Sequence, residues 1–392
     1  MFRRRRRLLP LSDRGPLRVM FVITSMPVGG AETLLVNLVR RMDRTRFQPE
    51  LCCLKEFGPL GEVLSKEIPA VEKLIRHKYD YQVVGRISKL MTERKIDAVV
   101  TVGTGGDKMF WGRLAAWRSG VPVVLSALHS TGLPDHVELP NRLLEPITDG
   151  FIGCAVPHGE YLAKHEGCPK KKVFVIPNGV DVDRFRPLEP SAELRTELNL
   201  EPNTKTAAIV AALRPEKNHE LFLRAAALVH GRMPEARFLI IGDGAGRAAL
   251  EAQAKELGIE ASVRFLGTRR DIPELLAHAD VLVLSSHMEA NPVSIMEGLA
   301  CGKPVVATRV GSIPETVHEG ISGFLVEPGN ADEMSARIEH LFRNSAISKE
   351  MGAAGRAHIA GHWSLDQMVE GYQNLIKTVY LGKVRPVHSS VG

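Results

Sequence analysis

Apolar positions along this chain fall into two alternating registers. Short β-rich runs such as LRVMFVITSM (17–26) give way, after PVGG, to LLVNLVRRM (34–42), where apolar residues recur with helical period. Strand, glycine turn and helix make the opening βα unit of a parallel sheet. The same alternation returns in FQPELCCL, in IDAVVTVGTGGD leading into MFWGRLAAW, in VPVVLSALHS, and in GFIGCAV before HGEYLAKHEG. The pattern resets after KVFVIPNGVDVDRFRP (172–187), where Pro177, Asn178, Gly179 and Pro187 punctuate a turn. A charged stretch runs to about residue 205. Six further strand-and-helix pairs then follow, from TAAIVAAL with HELFLRAAALVHG to GFLVEPG with ADEMSARIEHLFRN.

The pattern predicts an α/β protein of two Rossmann-like doubly wound domains facing each other across a cleft. At 392 residues the chain exceeds what one core usually organises, which agrees. The expected divisions are a basic, disordered tail over 1–16, an N-terminal domain over 17–185, a C-terminal domain over 186–365, and a C-terminal helix over 366–392. That last segment, SLDQMVEGYQNLIKTVYLG, has helical period and is expected to pack on the first domain.

Composition changes this picture little. The net charge is +6, but Arg3 to Arg7 supply five of those charges, so basicity belongs mainly to the tail. Such a run suits anionic lipid or nucleic acid, or is simply solvated. No run approaches the length of a membrane-spanning helix, and no signal-peptide core follows the arginines. The five cysteines form no CxxC pair and no zinc-like spacing, so they read as reduced, buried thiols. A cytoplasmic location follows, with possible docking at the inner membrane face.

In doubly wound sheets ligands collect beyond the carboxyl ends of strands, so the turns after strands are where chemistry is expected. Gly29-Gly30 allows close backbone approach to a phosphate, or simply a tight turn. IIGDGAGR resembles a dinucleotide fingerprint, but Arg247 stands where the third glycine belongs. Arg214 and Lys217, beyond a strand in LRPEKNHE, are either exposed loop charges or a clamp for a diphosphate. In EANPVSIMEGLACGKPVVAT (289–308), Pro292 suits a helix start, with the amides of Val293, Ser294 and Ile295 as an anion site. Glu289 lies on the loop before it. Glu297 lies on the helix among apolar neighbours, where a carboxylate costs stability unless partnered; the hydroxyls of a ribose would be suitable donors.

With these segments assembled, the chain resembles the GT-B glycosyltransferases, specifically the retaining, metal-independent GT4 type (glycosyltransferase group 1). The resemblance runs over about residues 17–375 and rests on the E-x7-E pair Glu289 and Glu297, GLACGKPVVAT, GGAETLLVNL, IPNGVDVDRF, LRPEKNHE, FLG at 265–267 and GSIPETVHEGISGFLVEPG. It implies a nucleotide-sugar donor, UDP- or GDP-linked, held mainly by the C-terminal domain, with no metal and no other cofactor. By family position Glu297 binds the ribose, Glu289 faces the donor sugar, and Lys217 holds the diphosphate. The backbone of Gly267 and Thr268 lies at the base, Gly30 approaches the phosphates, and His129 approaches the transferred sugar. Read alone, His129 is more often a packed or turn histidine; its family position reverses that reading.

The resemblance further implies hexosyl transfer with retention to a glycan or lipid-linked acceptor, in glycan, glycolipid or cell-envelope polysaccharide synthesis, with no nucleic-acid partner. It assigns the D-x-D of Asp181 and Asp183 to structure. One departure stands out: Ala212 occupies the position where the family carries arginine, and Arg214 is the candidate substitute. The competing readings are a nucleotide-sugar binder with weak or lost catalysis, which Ala212 makes conceivable, and, independently of it, a GT-B epimerase. The acceptor is expected at variable loops, with GTGGDK (103–108) and STGLPDHVELPNR (130–142) as candidates.

Overall fold

The computed structural model describes residues 8–77, 80–103, 109–129 and 138–384. The chain divides into two compact units: one comprises Met1–Asn178 and Asp366–Gly392, the other Gly179–Leu365.

The first unit holds a parallel sheet of seven strands: β1 (Leu17–Ile23), β2 (Phe47–Cys53), β3 (Ala70–Val71), β4 (Ala98–Gly103), β5 (Val123–Leu128), β6 (Gly150–Gly153) and β7 (Val173–Val175), in the order β3-β2-β1-β4-β5-β6-β7. The central strands are buried on both faces: Val19, Met20 and Phe21 are all fully buried. That is why they read as continuous apolar runs rather than as alternation. The two edge strands, β3 and β7, were not legible as strands, because β3 is two residues long and β7 exposes Phe174 and Val175.

The helix Leu365–Leu381 belongs to this unit from Asp366 onward. Asp366 pairs with Arg41 at 2.8 Å, the Gln373 side chain accepts a hydrogen bond from the Asp43 amide at 2.8 Å, and Tyr380 is fully buried. Residues 8–16, which the sequence placed in the tail, are packed beside that helix. The Arg14 guanidinium donates to both oxygens of Asp97, at 3.0 and 2.5 Å, and to the Tyr380 hydroxyl at 2.8 Å. The arginine run within residues 1–7 and most of both candidate acceptor loops (104–108 and 130–137) lie outside the described residues.

The second unit holds six parallel strands: β8 (Thr206–Val210), β9 (Arg237–Ile241), β10 (Val263–Gly267), β11 (Val281–Leu284), β12 (Val305–Thr308) and β13 (Gly323–Val326), ordered β10-β9-β8-β11-β12-β13. Its two cores separate with the period of two that a strand dictates. Ala207, Ile209, Phe238, Ile240, Val281 and Val283 pack on one face, whereas Ala208, Leu239, Ile241, Leu282 and Leu284 pack on the other. In each unit the strand order reverses at one place, between β1 and β4 and between β8 and β11. Loops leaving the carboxyl ends of those strands flank a crevice.

The five cysteines are buried free thiols. No helix among the described residues is long and apolar enough to cross a membrane.

Candidate functional site

The loops after β8 and β11 meet at the switch point of the second unit. After β8 the chain makes a short 3-10 turn, Pro215–Lys217, and then Asn218 adopts a left-handed conformation (φ 48°). Asparagine tolerates that conformation, and its side chain accepts the Leu221 amide at 3.3 Å, capping the helix His219–Arg232. The two loops are tied together by their backbones: the His287 amide donates to the Glu216 carbonyl at 2.9 Å, and the Ser285 hydroxyl donates to the Lys217 carbonyl at 3.1 Å.

This scaffold fixes Lys217 and Glu289 against each other. The Lys217 Nζ lies 2.6 Å from Glu289 Oε1, and the Ser286 hydroxyl donates to the same oxygen at 2.6 Å. Glu289 is only 6% exposed, so its charge depends on these two partners. Its Oε2 has no hydrogen bond among the described residues. The Glu289 backbone is held as well. Ser312 binds its carbonyl through the amide at 3.4 Å and the neighbouring Ala290 carbonyl through its hydroxyl. Gly311, at φ 54°, sits so close that a Cβ there would overlap the Glu289 carbonyl oxygen.

Pro292 caps the helix Val293–Ala300 from outside it. One detail of the expected anion site is corrected here. The Ile295 amide donates to the Pro292 carbonyl at 3.2 Å, because the first turn is tightened, so only the Val293 and Ser294 amides remain for a ligand. Gly298 lets this helix close on β11, since a Cβ there would overlap the Leu282 side chain.

On that helix Glu297 is half-buried, and loss of hydration pushes its pKa up to about 7, with the Arg184 charge acting in the opposite direction. Arg184 is presented by the D-x-D turn, in which Asp181 accepts the amides of Asp183 and Arg184 at 3.2 and 3.1 Å. A carboxyl whose pKa lies higher folded than unfolded binds more protons in the native state, so its contribution to stability is full at low pH and declines as pH rises through about 7. The ligand-free urea midpoint is therefore expected to fall more between pH 5 and 8 in the wild type than in Glu297→Gln. Equal slopes would remove Glu297 as the cause.

Other sequence-selected residues stand apart from this network. The Arg214 side chain is 64% exposed and reaches only Glu216, at 3.9 Å, so although its carbonyl accepts the Lys217 amide at 3.0 Å, its guanidinium stands outside the Lys217–Glu289 pair. Gly267 ends β10 at φ 66°, and its carbonyl accepts the Gly242 amide at 2.9 Å; Thr268, next to it, is exposed.

In the first unit, Gly29 caps the helix Gly30–Arg41 at the end of the loop that follows β1, and a Cβ on Gly30 would meet nothing within 4 Å. His129 follows β5, its amide donating to the Gly103 carbonyl at 2.8 Å. It keeps some exposed surface, yet packing around the ring pushes its pKa down to about 4, so it is neutral at pH 7. His158 is also pushed down to about 4, by burial and then by His129, and its Nδ1 accepts the Cys154 amide at 3.2 Å.

Two family models match this chain. "Glycosyltransferase Family 4" matches residues 28–184 and "Glycosyl transferases group 1" matches residues 190–358, together most of the chain. The chain belongs to the GT4-type GT-B glycosyltransferases.

Relatives agree with this. The chain is 27% identical over 338 residues to the Escherichia coli UDP-Gal:alpha-D-GlcNAc-diphosphoundecaprenol alpha-1,3-galactosyltransferase, covering 82% of this chain and 87% of the relative. It is 29% identical over 273 residues to the D-inositol 3-phosphate glycosyltransferase of Segniliparus rotundus, covering 65% of this chain but only 60% of the relative. Among solved structures, Anabaena HepE in complex with UDP-glucose superposes with a TM-score of 0.81 at 23% identity, over 92% of this chain and all of the other.

In this glycosyltransferase several site residues were not singled out from the sequence. Ser286 completes the Glu289 network, Gly311 makes room for it, Arg184 faces Glu297, and Asn218 turns the Lys217 loop. Gly311, Arg184 and Asn218 lay within segments that carried the family resemblance, and Ser286, a lone serine in a loop, has no distinguishing signal.

Proposed function

We propose that this chain transfers a hexose from a UDP- or GDP-sugar to a glycan or lipid-linked acceptor, with retention and without a metal, in glycan, glycolipid or cell-envelope polysaccharide synthesis. The observation that carries the reading is the network of half-buried Lys217 with buried Glu289 and Ser286 at the switch point of the second sheet, next to the open amides of Val293 and Ser294. A cation and two helix-end amides suit a leaving diphosphate, whose negative charge grows as the anomeric bond breaks. Two names support the donor class: the Anabaena structure was solved with UDP-glucose, and the E. coli relative is named for UDP-Gal. That relative's diphosphoundecaprenol acceptor supports a lipid-linked acceptor, and the arginine run supports peripheral docking on an anionic cytoplasmic leaflet.

In this mechanism Lys217 neutralises the diphosphate and Glu289 orients sugar hydroxyls through Oε2, while Glu297 accepts from the ribose. The backbone of Gly267 and Thr268 contacts the base. Gly29 and Gly30 bring backbone to phosphate, and neutral His129 hydrogen-bonds a sugar hydroxyl. The leaving phosphate oxygen takes the acceptor's proton on the face it departs from, which retains the anomeric configuration and needs no protein base. Glu289→Gln should keep the ion's shape but lose its charge, lowering turnover by about 10²-fold with little change in donor affinity. Unchanged turnover with every active acceptor would remove Glu289 from the reaction.

Ala212, with Arg214 exposed and outside the network, favours one second reading, a nucleotide-sugar binder with weak catalysis. Mass analysis after incubation with UDP- or GDP-hexose and membrane lipid extract separates the two. A glycosylated product that depends on Lys217 supports the transferase; donor binding without product or hydrolysis supports the binder.

A further inference from the structure

A cavity of about 600 Å³ opens at the opposite end of the second sheet from the donor loops, where Lys205 precedes β8, Asp280 precedes β11 and Pro304 precedes β12. Ligands of doubly wound sheets bind at the carboxyl ends of strands, so the sheet itself gives no reason for a pocket here. Its lining is rich in cations: Arg195, Lys303 and Lys349. The nearby acids do not cancel them. Asp280 is occupied by Lys205 Nζ at 3.0 Å and the Thr206 amide at 2.9 Å, and Glu201 is solvent-exposed. Lys303 Nζ has only a 3.4 Å contact with the Ala277 carbonyl, and Arg195 makes no side-chain bond among the described residues.

Two further observations point to a ligand. The first is the charge: His278, 8% exposed, lines the cavity beside Arg195 and Lys303. Burial lowers the pKa of both His278 and Lys303, and for His278 the charges of Arg195 and Lys303 add to the effect. Asp280 and Glu189 act on Lys303 in the opposite direction, yet the lining carries more cations than acids. The second observation is the 18-residue helix Ser345–His362, whose first turn brings Ser345, Ser348 and Lys349 to the same wall. Asn344 does not cap it, because its side-chain amide donates backward to the His340 carbonyl at 2.7 Å. The leading amides of that helix therefore lack a side-chain acceptor.

We propose that this cavity is a second ligand site, separate from the donor site, that takes a phosphate-bearing small molecule. A phosphate group supplies several acceptor oxygens and up to two negative charges for Lys303, Lys349, Arg195 and the helix amides. The volume lies within the range of small-molecule pockets, so a phosphorylated sugar or nucleoside fits, not just the bare ion.

The test is calorimetric titration of the full chain with inorganic pyrophosphate at constant ionic strength. Because pyrophosphate is also expected at the donor loops, the titration is run on Lys217→Met, alone and combined with Lys349→Glu or Lys303→Met. Lys349 is exposed, and an unchanged ligand-free melting curve checks that its variant is folded. The expected result is one pyrophosphate bound by Lys217→Met, weakened at least about tenfold by either added substitution. No binding to Lys217→Met, or binding indifferent to both substitutions, would overturn the second site. Failure of the donor-site assignment would appear differently, as wild type and Lys217→Met binding the same number of ions.

Discussion

Replacing Lys217 by methionine is expected to lower kcat by about 10²–10³-fold, or about 2.7–4 kcal/mol of transition-state stabilisation. Methionine keeps the length and apolar stem but removes the charge that faces the departing diphosphate. Because the ground-state diphosphate is already charged, donor KM should rise too. A second effect arises in the free protein, where Glu289 would keep only Ser286 as partner for a nearly buried carboxylate. The substitution is therefore not independent of Glu289→Gln. Residues in direct contact show coupling of about 0.5–3 kcal/mol, so the double variant should be less impaired than the sum of the single losses. Steady-state kinetics of the four proteins would measure this. Strict additivity would mean that the 2.6 Å pair has no part in turnover.

Gly311→Ala is expected to be the most damaging substitution outside the charged groups. Gly311 combines a left-handed φ of 54° with a position where a Cβ would overlap the Glu289 carbonyl oxygen. The backbone strain alone costs about 1–3 kcal/mol, and the overlap forces the loop carrying Glu289 to move. Gly320 provides the control: its φ is 71°, but a Cβ there would meet nothing within 4 Å. Both alanine variants should melt at lower temperature, by about 2–4 °C per kcal/mol for units of this size, whereas only Gly311→Ala should also lose turnover. Equal turnover in the two variants would show that the Glu289 loop tolerates displacement.

The fold was readable because parallel strands buried on both faces leave unbroken apolar runs, and each run is followed by a helix with its own period. What escaped was what has no such signature. β3 is too short and β7 too exposed, and residues 8–16 carry few apolar residues, being held instead by Arg14 on Asp97 and Tyr380. At the site, the turns after strands directed attention to Lys217, Glu289 and Glu297, but sequence spacing says nothing about side-chain partners. The contact of Lys217 with Glu289 joins loops 72 positions apart. The exposure of Arg214 and the inward turn of the Ile295 amide depend on local backbone geometry that residue types alone do not determine. Glu297 was identified from the cost of an acid among apolar neighbours, and the same burial raises its pKa.

The central claim is that the loops after β8 and β11 hold a nucleoside diphosphate sugar. Thermal titration with UDP, GDP, ADP and their hexose conjugates tests it most directly. A ligand at a hundredfold excess over its Kd stabilises by about 2.7 kcal/mol, a rise in melting temperature of about 5–10 °C. The account predicts such a rise for one nucleotide family in the wild type, its loss or near loss in Lys217→Met and Glu297→Ala, and its retention in Lys349→Glu. No rise with any nucleotide, or the same rise in Lys217→Met as in the wild type, would contradict it.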